Sequence, residues 1–523
     1  MALLLGVDIG TSSLKVVLFD EDLRPVALAR REYGTSYPGP GCAEQDPEDW
    51  WRAFRAATKE VLLASSAPPG AIAAIGVDGM SSLALPVDAA GTPLRPALIW
   101  LDRRARAQVE RARVEVEARQ LSINGNRCDP SCFAPKLAWI RQHEPDVDRA
   151  AASYLHCNAW LVQRLTGAFT MDVSQAGLSL LCDIRTGRYS DELVRGWGVD
   201  RRKLPEVSSC AEIAGRVTAV AAAATGLAAG TPVVAGAMDN VAATMGIGLR
   251  HDGDAYIAAG TVTNVGVLRD HPVLGGPGLL YHSGLEGRWL VNGGADYGGA
   301  GMLWFRNVLG DTDLAALGAL GAASACGEHP LVFLPYMAGQ RAPLWNDATA
   351  GVMLGITPST ERRHLARMFM ESVALGARHV FDALCPVRPD RAALTGGITH
   401  SRAWTQLMAD VTGMRLSVWD QAETSTLGAA LLAGVGVGMF RSPLGALRRL
   451  PQAPELEPDP RHREYYEALY GVFSEAYASV LRPLAALDAL RRARSAGNAR
   501  TEAPSPQPAT LERPGLQPAR GGA

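Results

Sequence analysis

Leu3-Leu-Leu-Gly6-Val-Asp8-Ile-Gly10-Thr11-Ser12-Ser13-Leu14-Lys15-Val-Val-Leu-Phe-Asp20 decides how the rest of the chain is read. Apolar runs at 3–9 and 14–19 flank the small polar group Gly10 to Ser13, which predicts a strand, a tight turn and a strand. The turn suits an anion. Gly10 can adopt positive φ, so that successive backbone N–H groups converge on one point. Thr11 and Ser12 add hydroxyl donors and Lys15 adds a cation, a set fitted to phosphate oxygens. Asp8, just before the turn, is placed to hold Mg2+ on those phosphates.

A second stretch repeats the pattern. Asp254-Ala-Tyr-Ile-Ala-Ala-Gly260-Thr261-Val-Thr263-Asn-Val-Gly-Val267 is again strand, Gly-Thr turn, strand. Two such hairpins half a chain apart predict two related halves facing each other across a cleft. The pair resembles the phosphate motifs of the actin, Hsp70 and hexokinase superfamily. More closely, Gly6-Val-Asp-Ile-Gly-Thr-Ser-Ser13 resembles the opening of the FGGY carbohydrate kinases. The expected fold class is therefore α/β, with two actin-like (ribonuclease H-like) domains around a central cleft.

The totals agree with two large domains. The chain has 523 residues, 47% of them hydrophobic, and a formal net charge of −2, so nothing global points to nucleic acid or an anionic membrane. Its eight cysteines show no zinc spacing, and no signal peptide precedes Asp8, which predicts reduced thiols in the cytoplasm. The uncharged run Val217 to Met238 is long enough to span a membrane. Thr225-Gly226 and Gly230-Thr-Pro232 break it, so the expectation is a helix, a turn and a buried strand over 232–237. Strands alternate with helices to about residue 489, giving expected domains at 1–245 and 246–485. The Arg-, Ala-, Pro- and Gly-rich segment 491–523 reads as a disordered tail.

No Walker A motif and no early Gly-x-Gly-x-x-Gly is present, which argues against P-loop and Rossmann nucleotide folds. Asp239, in Gly236-Ala-Met-Asp239-Asn240, ends an apolar strand and begins a helix. By itself this could be a simple helix cap. FGGY kinases carry Gly-Gly-x-Asp-Asn here, and the resemblance makes Asp239 the base that takes the proton from the substrate hydroxyl. Leu394-Thr-Gly396-Gly397-Ile-Thr-His-Ser401-Arg-Ala-Trp404-Thr-Gln406 resembles the family's adenosine segment. The resemblance thus implies ATP contacts at Thr11, Ser12, Lys15, Gly260, Thr261, Thr263, Gly396, Gly397 and Ser401, with Mg2+ on Asp8. It implies sugar contacts at Met80, Ser81, Asp102, Asp239 and Asn240.

Within the family the sequence is most similar to bacterial xylulokinases, through Phe133-Ala-Pro-Lys136-Leu-Ala-Trp139, Arg164-Leu-Thr-Gly167 and the run Phe333 to Pro343. It departs from them at the sugar. Gly79-Met80-Ser81-Ser82 has Ser81 where the family turn has His, and Trp100-Leu101-Asp102-Arg103-Arg104 lacks the family's Asn. The resemblance implies ATP-dependent phosphorylation of a pentulose such as D-xylulose on its terminal hydroxyl. Ribulose, gluconate, glycerol or another polyol, or an actin- or Hsp70-like ATPase, stay open as alternatives. The expected partners are a small sugar and ATP, with no nucleic acid and no membrane, and a homodimer is left open.

Overall fold

The computed structural model describes residues 2–501, apart from 261, 296–297, 311–313, 338, 341, 347, 421–422 and 449–452. In the first half, β1 (Leu3–Ile9) and β2 (Ser13–Phe19) form the expected hairpin, with Asp8 opposite Lys15 and Ile9 opposite Leu14. Pro25–Glu32 (β3) extends it at the edge, and Ile72–Gly79 (β4) runs parallel to β1 on its other side. Ile213–Arg216 (β5), Pro232–Val234 (β6) and Ala237–Met238 (β7) complete a sheet of order β5-β6-β4-β1-β2-β3, with β7 also on β4. Strands buried on both faces, such as β1 and β4, have the nearly continuous apolar sequence that parallel neighbours favour.

The strand expected over 232–237 is broken in two at Ala235-Gly236. Gly236 takes a φ of +86°, and a Cβ there would stand 1.9 Å from the Val77 carbonyl oxygen. That close approach re-aims the chain so that Ala237 pairs with Asp78. The first-half helices that matter for the site are α1 (Pro47–Ser65), α2 (Phe133–His143), α3 (Val173–Leu178) and α4 (Asp239–Gly246). Helix α1 starts where Asp46 accepts a hydrogen bond from the Glu48 N–H and Pro47 fills the first turn.

The second half repeats the plan. Ala255–Ala259 (β8) and Thr263–Arg269 (β9) form the second hairpin. With Leu279–His282 (β10), Trp289–Ala295 (β11), Arg391–Thr395 (β12), Arg415–Val418 (β13) and Glu455–Leu456 (β14), they make a sheet of order β10-β11-β9-β8-β12-β13-β14. Helices α5 (Arg362–Leu384), α6 (Arg402–Thr412), α7 (Thr424–Gly436) and α8 (Arg463–Thr501) follow. Helix α8 continues past Arg491, where composition placed the start of the tail; residues 502–523 lie outside the described residues. No helix among the described residues is long and apolar enough to cross a membrane.

Helix α7 comes late in the chain yet packs on the first sheet. Added Cβ atoms at Gly6 and Gly76 would stand 2.0 and 1.9 Å from the carbonyl oxygens of Thr426 and Ala429 in α7. The same holds for Gly246 against Thr424 and for Gly428 against Ala242 of α4. Glycine on both sides lets α7 lie flush on β1, β4 and α4. Its first turn, Thr424 and Ser425, thereby reaches the cleft between the halves.

Candidate active site

Three carboxylates meet at the carboxyl ends of adjacent parallel strands. Asp8 on β1 is in register with Asp78 on β4, and Asp78 with Ala237 on β7, two residues before Asp239. Asp239 occupies the first position of α4; Met238 is the cap residue, so Asp239 is not spent on capping. Its Oδ1 accepts from the Asn240 N–H at 2.7 Å. Burial, and then repulsion from Asp8, push its carboxyl up to about 7, the backbone donor opposing them. Asp78 is fully buried, and neither of its oxygens accepts a hydrogen bond from a described donor. Burial first, then the charges of Asp8 and Asp239, raise it well above the usual carboxylate range and favour its protonated form. Asp8 accepts from the Ser425 hydroxyl at 3.1 Å, and Lys15 Nζ lies 4.0 Å from Asp8 and 3.4 Å from Glu423. Ser425 and Glu423 come from the second half of the chain, at the start of the helix α7 that packs on the first sheet.

In front of these acids lies a cavity of about 410 Å3 lined by both halves. Asp239 and Asn240 form its floor. Ser81, Ser82, Trp100, Asp129, Ser131 and Cys132 line one wall, and Asn264, Tyr281, Asn292 and Trp345 the other. The Trp100 Nε1–H donates to Thr11 Oγ1 at 2.9 Å, tying the first wall to the first hairpin turn. Asn240 is locked from the opposite side. Its Nδ2 donates to Tyr281 Oη at 2.8 Å and its Oδ1 accepts from Tyr256 Oη at 3.0 Å, while Asn292 Nδ2 donates to that same Tyr256 oxygen.

A buried polar layer behind the floor fixes the backbone that carries it. The Met238 N–H donates to Ser174 Oγ at 2.9 Å, and the Ser174 hydroxyl donates to Asp172. Gln175 Nε2 donates to the carbonyls of Met80 at 3.1 Å and Gly79 at 3.3 Å. Asp172 is the N-cap of α3, accepting from the N–H groups of Ser174 and Gln175, and also accepts from Asn158 Nδ2 at 2.9 Å.

Of the residues singled out from sequence, Asp8, Thr11, Ser81, Asp239 and Asn240 come together at this cavity. Met80 does not: its side chain is buried in the first-half core, because the chain leaves β4 with Met80 N–H bonded to Ile9 and the side chain turned inward. Asp102 does not either. It is fully buried, accepting from the Ala43 N–H at 2.7 Å and from Arg104, so it braces the Trp100–Arg104 turn instead of facing a sugar. Thr263 is fully buried beside Gly298, its hydroxyl without a partner among the described residues.

Ser12 and Gly260 are exposed at their turns, and Thr261 lies outside the described residues. Gly10 keeps an ordinary φ, so its use is space and not left-handed backbone. Gly396, Gly397 and Ser401 lie beyond the cavity at the end of β12. Gly396 has a φ of +100°, and Ser401 caps α6. Residues not anticipated as site residues are Asp78, Asp129, Ser131, Tyr281, Asn292, Trp345 and Ser425. Only Asp78 carried a local signal, as the one acid in the otherwise apolar strand β4.

Residues 3–246 match the N-terminal domain model of the FGGY family of carbohydrate kinases, and residues 255–437 match its C-terminal domain model. Xylulose kinase of Escherichia coli (strain K12) is 30% identical over 483 residues, 91% of this chain and 99% of that one. Gluconokinase of Bacillus subtilis (strain 168) is 27% identical over 84% of this chain and 88% of its own. The crystal structure of xylulose kinase from Rhodospirillum rubrum superposes with a TM-score of 0.84 at 30% identity, covering 92% of this chain and 99% of that one.

Proposed function

We propose, for a chain that belongs to the FGGY family of carbohydrate kinases and has its two-domain actin-like fold, a specific reaction and substrate class. FGGY kinases take the phosphoryl group from ATP. The acceptor proposed here is the terminal hydroxyl of a neutral pentulose such as D-xylulose, giving the 5-phosphate and ADP. The observation that carries this is Asp239, at the head of α4, facing the cavity with a carboxyl held near neutrality.

In this reading Asp239 accepts the hydroxyl proton as the new O–P bond forms and the bond to the ADP oxygen breaks. The positive end of α4 steadies negative charge at that point. Thr11, Ser12, Lys15, Gly260, Thr261 and Thr263, on the two hairpins, are the proposed phosphate contacts, and Gly396, Gly397 and Ser401 the adenosine contacts. Ser81 and Asn240 contact the sugar. The hard oxygen donors Asp8 and Asp239, with the buried Asp78 carboxyl behind them, fit Mg2+, and Asp8 would hold it. Bound there, Mg2+ would neutralise phosphate charge. Closure of the two halves around the cavity would exclude water and limit wasteful hydrolysis of ATP.

A neutral polyol is favoured over a sugar acid on electrostatic grounds. The described lining offers Asp8, Asp129 and Asp239 and no cationic side chain, and the nearby Arg103 is held by Asp129 at 3.2 Å. A carboxylate-bearing sugar would meet like charge there, which costs affinity. The test is ADP release across pentuloses, hexuloses, glycerol and aldonates. A neutral ketopentose is expected to give the highest kcat/KM. Gluconate as the best substrate would refute the charge argument, and ATP turnover indifferent to every polyol would refute the kinase reading of the cleft.

A further inference from the structure

Lys136 lies on α2, outside the cavity, and is fully buried. Its ammonium donates three hydrogen bonds, all to backbone carbonyls: Ser82 at 2.5 Å, Ile99 at 2.8 Å and Ser131 at 2.5 Å. An ammonium has three N–H donors, so its capacity is filled. The acceptors belong to three segments far apart in sequence. Ser82 follows β4 next to Ser81; Ile99 precedes Trp100; Ser131 lies between Asp129 and Cys132. Each segment supplies side chains to the same cavity wall. Ser82 takes a φ of +57°, a conformation costly for a non-glycine residue and here held by the contact to its carbonyl.

A buried cation in this place is itself expensive. Burial lowers the Lys136 amine to about 7, with Asp102 and Asp129 acting against the fall. A methionine or leucine could fill the same space at lower cost, so the ammonium is there for its donors.

We propose that Lys136 is the positioning residue of the polyol wall, its ammonium tying together the three loops that present Ser81, Ser82, Trp100 and Ser131 to the substrate. Lys136 sets polyol affinity without touching the polyol. The proposal rests on the reading that the polyol occupies this wall. The phosphate side meets the clamped segments at the Trp100–Thr11 and Met80–Ile9 bonds and not at Lys136 itself, so nucleotide binding should depend on Lys136 far less than polyol binding does.

The test uses the full-length enzyme and the best polyol from the substrate panel, which must be identified first; an absence of any polyol substrate would fail the earlier reading and this proposal with it, whereas a polyol substrate whose KM ignores Lys136 fails this proposal alone. Lys136→Met keeps length and removes all donors, and Lys136→Gln keeps an amide donor. For Lys136→Met the KM for the polyol should rise about tenfold or more, since small misplacement of binding groups is amplified in this way. The KM for ATP should stay within about twofold and kcat within about threefold. Lys136→Gln should fall between wild type and Lys136→Met. A merely structural lysine would lower the melting temperature and leave this split absent. Equal rises in both KM values, or no rise for the polyol, overturns the proposal. If Lys136→Met does not fold, the same split is required of Lys136→Gln; failure of both to fold assigns Lys136 to the core and overturns it as well.

Discussion

Replacing Gly428 by alanine sets two effects of opposite sign against each other. Gly428 lies inside α7, where alanine is favoured over glycine by about 1 kcal/mol, so propensity alone predicts a more stable protein. The added Cβ, however, would stand 1.9 Å from the carbonyl oxygen of Ala242 and 2.6 Å from its carbon. Cβ atoms do not come nearer than about 3 Å to a neighbour, so α4 and α7 must part by about 1 Å. The obstacle is backbone, which no rotamer change can clear. Overpacking of this kind costs about 1–3 kcal/mol, and a backbone clash belongs at the upper end. The clash therefore wins, with a net loss of about 1–2 kcal/mol and a melting temperature lower by about 2–8 °C.

Function should suffer more than stability. Asp239 begins the helix that Ala242 continues, and a shift of about 1 Å in a reacting group can cost about a hundredfold. Differential scanning fluorimetry and ADP release at saturating substrates measure the two effects on one preparation. A Gly428→Ala protein that melts at or above the wild type and turns over at full rate would refute the reasoning. It would mean that the α4–α7 contact yields without moving the base.

Asp239→Asn should lower turnover by about 10²–10⁴ while ATP binding, followed by a fluorescent analogue, stays within about twofold; retention of more than a tenth of the activity would reduce Asp239 to a helix residue. In the wild type, Asp239 must be ionised to accept a proton, so kcat/KM should fall about tenfold per pH unit below about 7 and level off above it. Stability runs the other way. A carboxyl raised in the folded state contributes stability that is full below its unfolded value and lost as pH rises through about 7, so the melting advantage of Asp239→Asn should widen between pH 5 and pH 8. Ser81→His should change the KM for the polyol by about threefold to tenfold through one hydrogen bond gained or blocked; unchanged kinetics on every substrate would remove Ser81 from the sugar wall. Ser174→Ala removes the acceptor of the Met238 N–H and should lower kcat several-fold with little change in either KM, whereas a pure loss of melting temperature would make Ser174 a core residue only.

Both hairpins were legible because strand, turn and strand are contiguous, and their signal is local. Asp239, now at the cavity, stood out for the same reason, as an acid between an apolar strand and a helix. Met80 and Asp102 were misplaced because sequence shows which residues are near a turn but not which way each side chain leaves it. Asp78 drew no site reading from sequence, since its register with Asp8 and Ala237 depends on strand order. Tyr281, Asn292 and Ser425 reach the cleft only through the assembly of the two halves. No local pattern announces that Asn240 would be held by tyrosines from the other sheet, or that α7 would pack on the first one.

One contact between the halves bears on how the protein stays in solution. Strand β10 is the edge of the second sheet, and an edge strand exposes unpaired N–H and C=O groups that invite pairing with another chain. The buried amide of Asn126, from the first half, covers that edge: its Nδ2 donates to the Leu280 carbonyl at 2.7 Å and its Oδ1 accepts from the Leu280 N–H at 2.8 Å. A single side chain thus imitates the next strand of a ladder. Parting Asn126 from Leu280 would bare one donor and one acceptor of that edge, so this contact guards the sheet as well as joining the halves.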